Sequence, residues 1–242
     1  MMKISARQAA IKFVESYFPN CEVAYLAGSV VRGEETESSD LDIIIIDSSV
    51  GESYRQSLTE FDWPIEVFVH NMFTYKNFFK ENIDRARPSL PQMCAEGIIL
   101  RDTGHASRIK NEALQLLKAG PTPWRSIEIE RARYHLTDLL NDLEGSTNGI
   151  EDLFVVSKLA DLTHEFVLRV NGHWIGEGKW IIRALKEYNE DFAARFAEVF
   201  DLYYSSREKV GVIHFVDEII APYGGRLFEG YSSSHSPESA VE

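Results

Sequence analysis

Asp40 and Asp42 flank Leu41 at the mouth of an aliphatic run, "DLDIIIID". In an extended chain, side chains at i and i+2 share a face. The two carboxylates therefore project together while Leu41 turns into the core. Carboxylates this close repel, and one has its pKa raised unless a cation lies between them. A hard divalent ion resolves the conflict, and Mg²⁺ takes one or two carboxylates together with phosphate oxygens and water. A third acid, Glu66, interrupts the apolar stretch "IEVFV". A carboxylate there is costly without a partner. If its strand lies beside the aspartate strand, Glu66 completes a three-carboxylate cluster; the alternative is an ion pair with a neighbouring arginine.

Gly28-Ser29 is separated from Asp40 by ten residues. Glycine lets the backbone approach a ligand closely, and Ser29 with the N–H groups opening a short helix over residues 30–33 suits a phosphate. An ordinary turn glycine and a serine N-cap would look the same. Arg32, one turn on, either reaches a triphosphate or pairs with Glu34 or Glu35. Metal-binding acids facing a phosphate-cradling turn point to phosphoryl or nucleotidyl transfer.

The segment "GSVVRGEETESSDLDIII" resembles the signature of the DNA polymerase β-type nucleotidyltransferase superfamily: Gly-Ser, a spacer of about ten residues, then Asp-hydrophobic-Asp-hydrophobic. Gly28, Ser29, Asp40 and Asp42 match it position for position, and Glu66 matches the third carboxylate in strand context. The order of a small α/β domain followed by helices is similar to the antibiotic nucleotidyltransferases, such as the kanamycin and lincosamide enzymes. "RPSLPQMCAEGIILRD" resembles the closing segment of their catalytic domain. The resemblance implies that a substrate hydroxyl attacks the α-phosphate of ATP or another nucleoside triphosphate and pyrophosphate leaves. Two Mg²⁺ ions would be held by Asp40, Asp42 and Glu66, with Glu66 alternatively acting as base. It further implies a nucleotide contact from Lys179 on the helical half, offers Glu128 or Glu130 as an alternative general base, and allows a homodimer. Trp180 reads as a core residue.

These side chains need elements to hold them. Strands are expected over 22–26, 41–47, 65–70 and 97–102, the second apolar enough to be buried on both faces. Residues 53–60 read as a short helix or loop. Ser5 and Gln8 form a capping-box pattern ahead of a first helix, and further helices fall over 74–83 and 106–118. "GPTP" at 120–123 interrupts two helical patterns. Beyond it strands disappear, and helices follow over 129–143, 153–170, 179–188, 191–204 and 207–220. The expected fold is α+β: a nucleotidyltransferase domain over 1–120 with a small mixed sheet and flanking helices, an all-α bundle over 121–230, and a disordered tail over 231–242.

The net charge of −13 argues against a sequence-independent nucleic-acid binder, which needs a basic footprint, while leaving room for a local basic groove. Residues 1–120 carry 17 acidic against 13 basic side chains, and residues 121–242 carry 21 against 12. The acidic excess of the second half is either solvated helix surface or a match for a cationic acceptor. Cys21 and Cys94 form no CxxC pair, and no HExxH spacing suggests zinc. No secretory signal or membrane span is visible, so a cytoplasmic protein is expected. The resemblance implies transfer of a nucleoside monophosphate, AMP from ATP in the leading case, to a hydroxyl on a small aminoglycoside-like or lincosamide-like acceptor, which would be an antibiotic-resistance activity. The rivals are a protein AMP transferase of antitoxin type and a non-catalytic nucleotide sensor.

Overall fold

Residues 4–233 are described by a computed structural model. They fall into two units, Met1–Gly120 and Pro121–Glu242. Of the tail read as disordered, residues 234–242 lie outside the described residues.

The first unit is built on a mixed five-stranded sheet. Its strands are β1 (Val23–Ala27), β2 (Leu41–Ile46), β3 (Tyr54–Glu60), β4 (Trp63–His70) and β5 (Ile98–Asp102), in the order β3-β4-β2-β1-β5. β2 and β4 run parallel, and the other pairs are antiparallel. Helices cover both faces. Leu41, Ile43 and Ile45 of β2 face helix α1 (Ala6–Tyr17) through Ala10, Phe13 and Val14. Ile44 and Ile46 face the other way, into a cluster with Tyr75 and Phe79 of α3 (Thr74–Asp84), Leu90 and Cys94 of α4 (Ser89–Glu96) and Ile109 of α5 (Ala106–Ala119). Ile43 to Ile46 are fully buried, which explains the unbroken aliphatic run. Each such side chain contributes about 1.5–3 kcal/mol of burial. A one-turn helix, α2 (Ser29–Arg32), joins β1 to the loop that leads to Asp40.

Two elements depart from the sequence expectation. Residues 53–60 form strand β3, not a helix or loop. Its "YRQSLTE" is mostly exposed because it is an edge strand, so it lacks the apolar alternation that marks a strand. It joins β4 through a two-residue hairpin in which Phe61 and Asp62 both have positive φ, 55° and 65°. That geometry usually calls for Asn-Gly or Asp-Gly. Helix α4 carries Pro91 at its third position, where an N–H has no intrahelical partner to lose.

The second unit contains α6 (Ser126–Gly145), α7 (Gly149–Val170), α8 (Trp180–Tyr188), α9 (Glu190–Ser206) and α10 (Val210–Ile220). Leu136, Leu140, Leu159, Phe166 and Phe215 are buried in it. Lys209 joins three of its segments, donating to the carbonyls of Leu143 and Ser146 and pairing with the buried Asp152 at 2.7 Å. Tyr231 stacks on Tyr134 of α6, with ring centroids 4.0 Å apart. Among the described residues no helix is long and apolar enough to cross a membrane.

Candidate functional site

The parallel register of β2 and β4 sets Asp42 directly beside Glu66. Both side chains lie on the face of the sheet shared with Ile44, at the end where β2 begins. Asp40 enters just before the strand. A carboxylate oxygen from each of Asp40, Asp42 and Glu66 can be chosen so that all three lie within 4.8 Å of one another, and all three residues are partly buried. Such a set of hard oxygen donors fits a divalent cation of the Mg²⁺ or Mn²⁺ type. The electrostatics agree. Burial first, then the charges of Asp40 and Glu66, push the Asp42 carboxyl up to about 6, against the opposing pull of Arg32 and Arg55. A cation among these oxygens would relieve that crowding.

On the other side of β2, Asp42 pairs with Ala27 of β1, and Gly28 follows immediately. Gly28 has φ 81°, and a Cβ on it would stand 1.9 Å from Asp42 Oδ2. The turn must therefore be glycine for the aspartate to occupy its place. The Ser29 hydroxyl donates to Ser39 Oγ at 3.2 Å, and Ser39 Oγ accepts the Thr36 N–H at 2.8 Å. These bonds fold the ten-residue spacer back so that Asp40 returns beside the Gly-Ser turn.

Arg32 makes the pair with Glu34 that the sequence offered as one alternative, Nε to Oε2 at 3.3 Å, and a second pair with Glu96 at the end of α4. Glu66 likewise combines both readings offered for it. It joins the carboxylate cluster, and its Oε1 accepts from Arg55 and, at 3.2 Å, from Ser57 Oγ. Arg55, Ser57 and Glu96 carry no motif of their own. Arg55 and Ser57 sit two apart on the strand that the sequence hides, so recognising β3 would have placed both on one face. Glu96 shows only as an acid ahead of "GIIL".

Lys179 belongs to the second unit, where it is exposed and precedes α8. Trp180 is not a core residue: it is 38% exposed, and the guanidinium of Arg183 lies 4.8 Å from its ring centre. Its place at the very start of α8, one turn before Arg183, leaves it at the surface. Glu128, at the start of α6, accepts the Arg125 N–H at 2.7 Å, and the Arg125 side chain holds its carboxyl below the usual range. Glu130 is exposed on the same helix.

Residues 8–83, which contain the Gly-Ser turn and all three carboxylates, match the family model described as "Nucleotidyltransferase domain". A solved structure titled as a nucleotidyltransferase-like protein from Exiguobacterium sibiricum 255-15 is similar in fold, with TM-score 0.51 and 12% identity, covering 90% of this chain and 75% of that one. No curated protein matches the chain. Residues 8–83 of the first unit are thus similar to that family, and the three converging carboxylates lie inside the matched segment.

Proposed function

We propose that the chain transfers a nucleoside monophosphate, AMP from ATP in the leading case, to a hydroxyl of a small cationic acceptor. The observation that carries this reading is the pairing of Asp42 with Glu66 across a parallel ladder, with Asp40 alongside and Gly28 in contact with Asp42. Asp40, Asp42 and Glu66 would hold the divalent metal, which when bound neutralises phosphate charge and lowers the pKa of a coordinated hydroxyl. Gly28 leaves the Asp42 carboxylate its place beside the turn. Ser29 and Arg32 supply a hydroxyl and a fork of N–H donors suited to phosphate oxygens. Glu66 accepts from Arg55 and Ser57 through Oε1, which leaves Oε2 for the metal or for an acceptor proton. Glu128 is the weaker candidate base, because Arg125 stabilises its charged form.

The acidic excess of residues 121–242 favours a cationic acceptor of aminoglycoside type over a nucleic acid. The retained carboxylate set argues against a nucleotide sensor, which has no use for three converging acids. Pyrophosphate release from ATP and Mg²⁺, measured with aminoglycosides, lincosamides and buffer alone, tests the proposal with Asp42→Asn as the control. Acceptor-dependent release that the variant lacks supports small-molecule transfer. Release that appears only with a protein acceptor would replace it with protein AMP transfer.

A further inference from the structure

The position of Arg32 poses a problem. The helix it ends is preceded by Gly28, which packs against the Asp42 carboxylate, and the Arg32 charge acts on Asp42. A guanidinium one turn along from that contact is attracted to the carboxylate cluster, where it would occupy oxygens that a metal needs. Glu96 supplies a competing attraction. It pairs with Arg32 Nη1 across 64 positions of sequence and is itself only 15% exposed.

Glu96 cannot readily follow the arginine inward. Gln92, one turn earlier on α4, donates to its second oxygen at 3.2 Å. Gly97, the next residue, closes the end of α4 against β1: a Cβ there would lie 2.7 Å from the Met93 carbonyl oxygen and 3.0 Å from Tyr25 Cβ. The acid is thus braced on both sides.

We infer that Glu96 is a positioning residue that holds Arg32 off Asp40, Asp42 and Glu66, keeping those carboxylates open to a divalent metal and the guanidinium presented to the nucleotide phosphates. The inference rests on the metal and nucleotide reading of the site. It assigns Glu96 no contact with substrate; its effect passes through Arg32.

The test is calorimetric titration of the nucleotide-free protein with Mn²⁺, beside KM for ATP and kcat. Glu96→Gln keeps the size and hydrogen-bonding capacity of the side chain but removes its charge. Mn²⁺ affinity is expected to fall about tenfold, the scale on which groups behind metal ligands act, and KM for ATP to rise. Removing the arginine as well, in an Arg32→Ala and Glu96→Gln double variant, is expected to return Mn²⁺ affinity to at least the parent's level while KM stays high. Glu96→Asp, which keeps the charge, is expected to fall between parent and Glu96→Gln and serves if the latter fails to fold. A folded Glu96→Gln protein that binds Mn²⁺ as the parent does would show a brace between α2 and α4 and overturn the inference, as would a double variant whose affinity stays low. A parent that binds no Mn²⁺ overturns the metal reading itself, and the inference with it.

Discussion

The Asp42 carboxylate fills the space in which Gly28 would carry a side chain, with Oδ2 1.9 Å from the Cβ position. The glycine turn and the acidic strand are thus one feature, and neither can change alone. Gly28→Ala must move the aspartate and also hold alanine at φ 81°, a backbone cost of roughly 1–2 kcal/mol. The expected result is a folded protein with lowered melting temperature and Mn²⁺ affinity reduced at least about tenfold. Calorimetry and thermal melting check it; unchanged Mn²⁺ binding would separate the turn from the metal site.

Asp42→Asn should affect turnover and stability in opposite directions. Turnover should drop by about a thousandfold or more, since a lost ligand weakens stabilisation of transition-state charge. Stability follows from the raised carboxyl. Its pKa moves from 3.8 unfolded to about 6 folded, so the folded state binds the proton more tightly. That contribution is fully present below about pH 4 and is lost as pH rises through 6. Without metal, the parent should therefore weaken between about pH 4 and pH 7, and Asp42→Asn should not. At about pH 8 in EDTA the variant should be more stable by on the order of 2 kcal/mol, allowing for partial exposure. Melts across this range, with and without EDTA, measure both effects.

In the helical unit, Lys209 should matter more than its surface position suggests. Its ammonium neutralises Asp152, which is 2% exposed, and caps two carbonyls at the end of α6. Lys209→Met leaves a buried carboxylate unpaired, at a cost of about 3–5 kcal/mol. Replacing both partners, Lys209→Met with Asp152→Leu, should recover much of that loss. Urea unfolding of the two variants reads the difference; a loss below about 1 kcal/mol in the single variant would mean that water reaches Asp152.

The site was largely legible in the sequence because its parts are local. Gly28, Ser29, Asp40 and Asp42 fall within one segment, and the period of two alone puts Asp40 and Asp42 on one side. Glu66 needed one further guess, that its strand neighbours β2, and the register supplies it. The groups that were not legible are those that act across distant segments. Glu96 meets Arg32 from 64 positions away, and Arg55 meets Glu66 from an edge strand whose polar surface disguised it. Most of β3 is exposed on both faces, with Leu58 the hydrophobic side chain it packs on the core, so no apolar alternation registers. Trp180 reads as core because an aromatic at helical spacing looks like core, whereas it is 38% exposed at the start of α8.

That disguised strand depends on its turn, and the turn gives a prediction of opposite signs at adjacent positions. Phe61 and Asp62 both adopt the left-handed region. Phe61 packs against the core beneath α1, while Asp62 is exposed. Asp62→Gly removes the steric cost of a side chain at positive φ and is expected to stabilise by about 0.5–1 kcal/mol, after the extra freedom of glycine in the unfolded chain is offset. Phe61→Gly relieves the same strain but strips a packed aromatic ring, and it should destabilise by about 2 kcal/mol or more. Because the hairpin sets the register that places Ser57 opposite Glu66, Phe61→Gly should also weaken Mn²⁺ binding, whereas Asp62→Gly should leave it intact. Thermal melts with Mn²⁺ titration of both variants decide the matter. Equal effects at the two positions would mean that the ring contributes nothing to holding β3 in place.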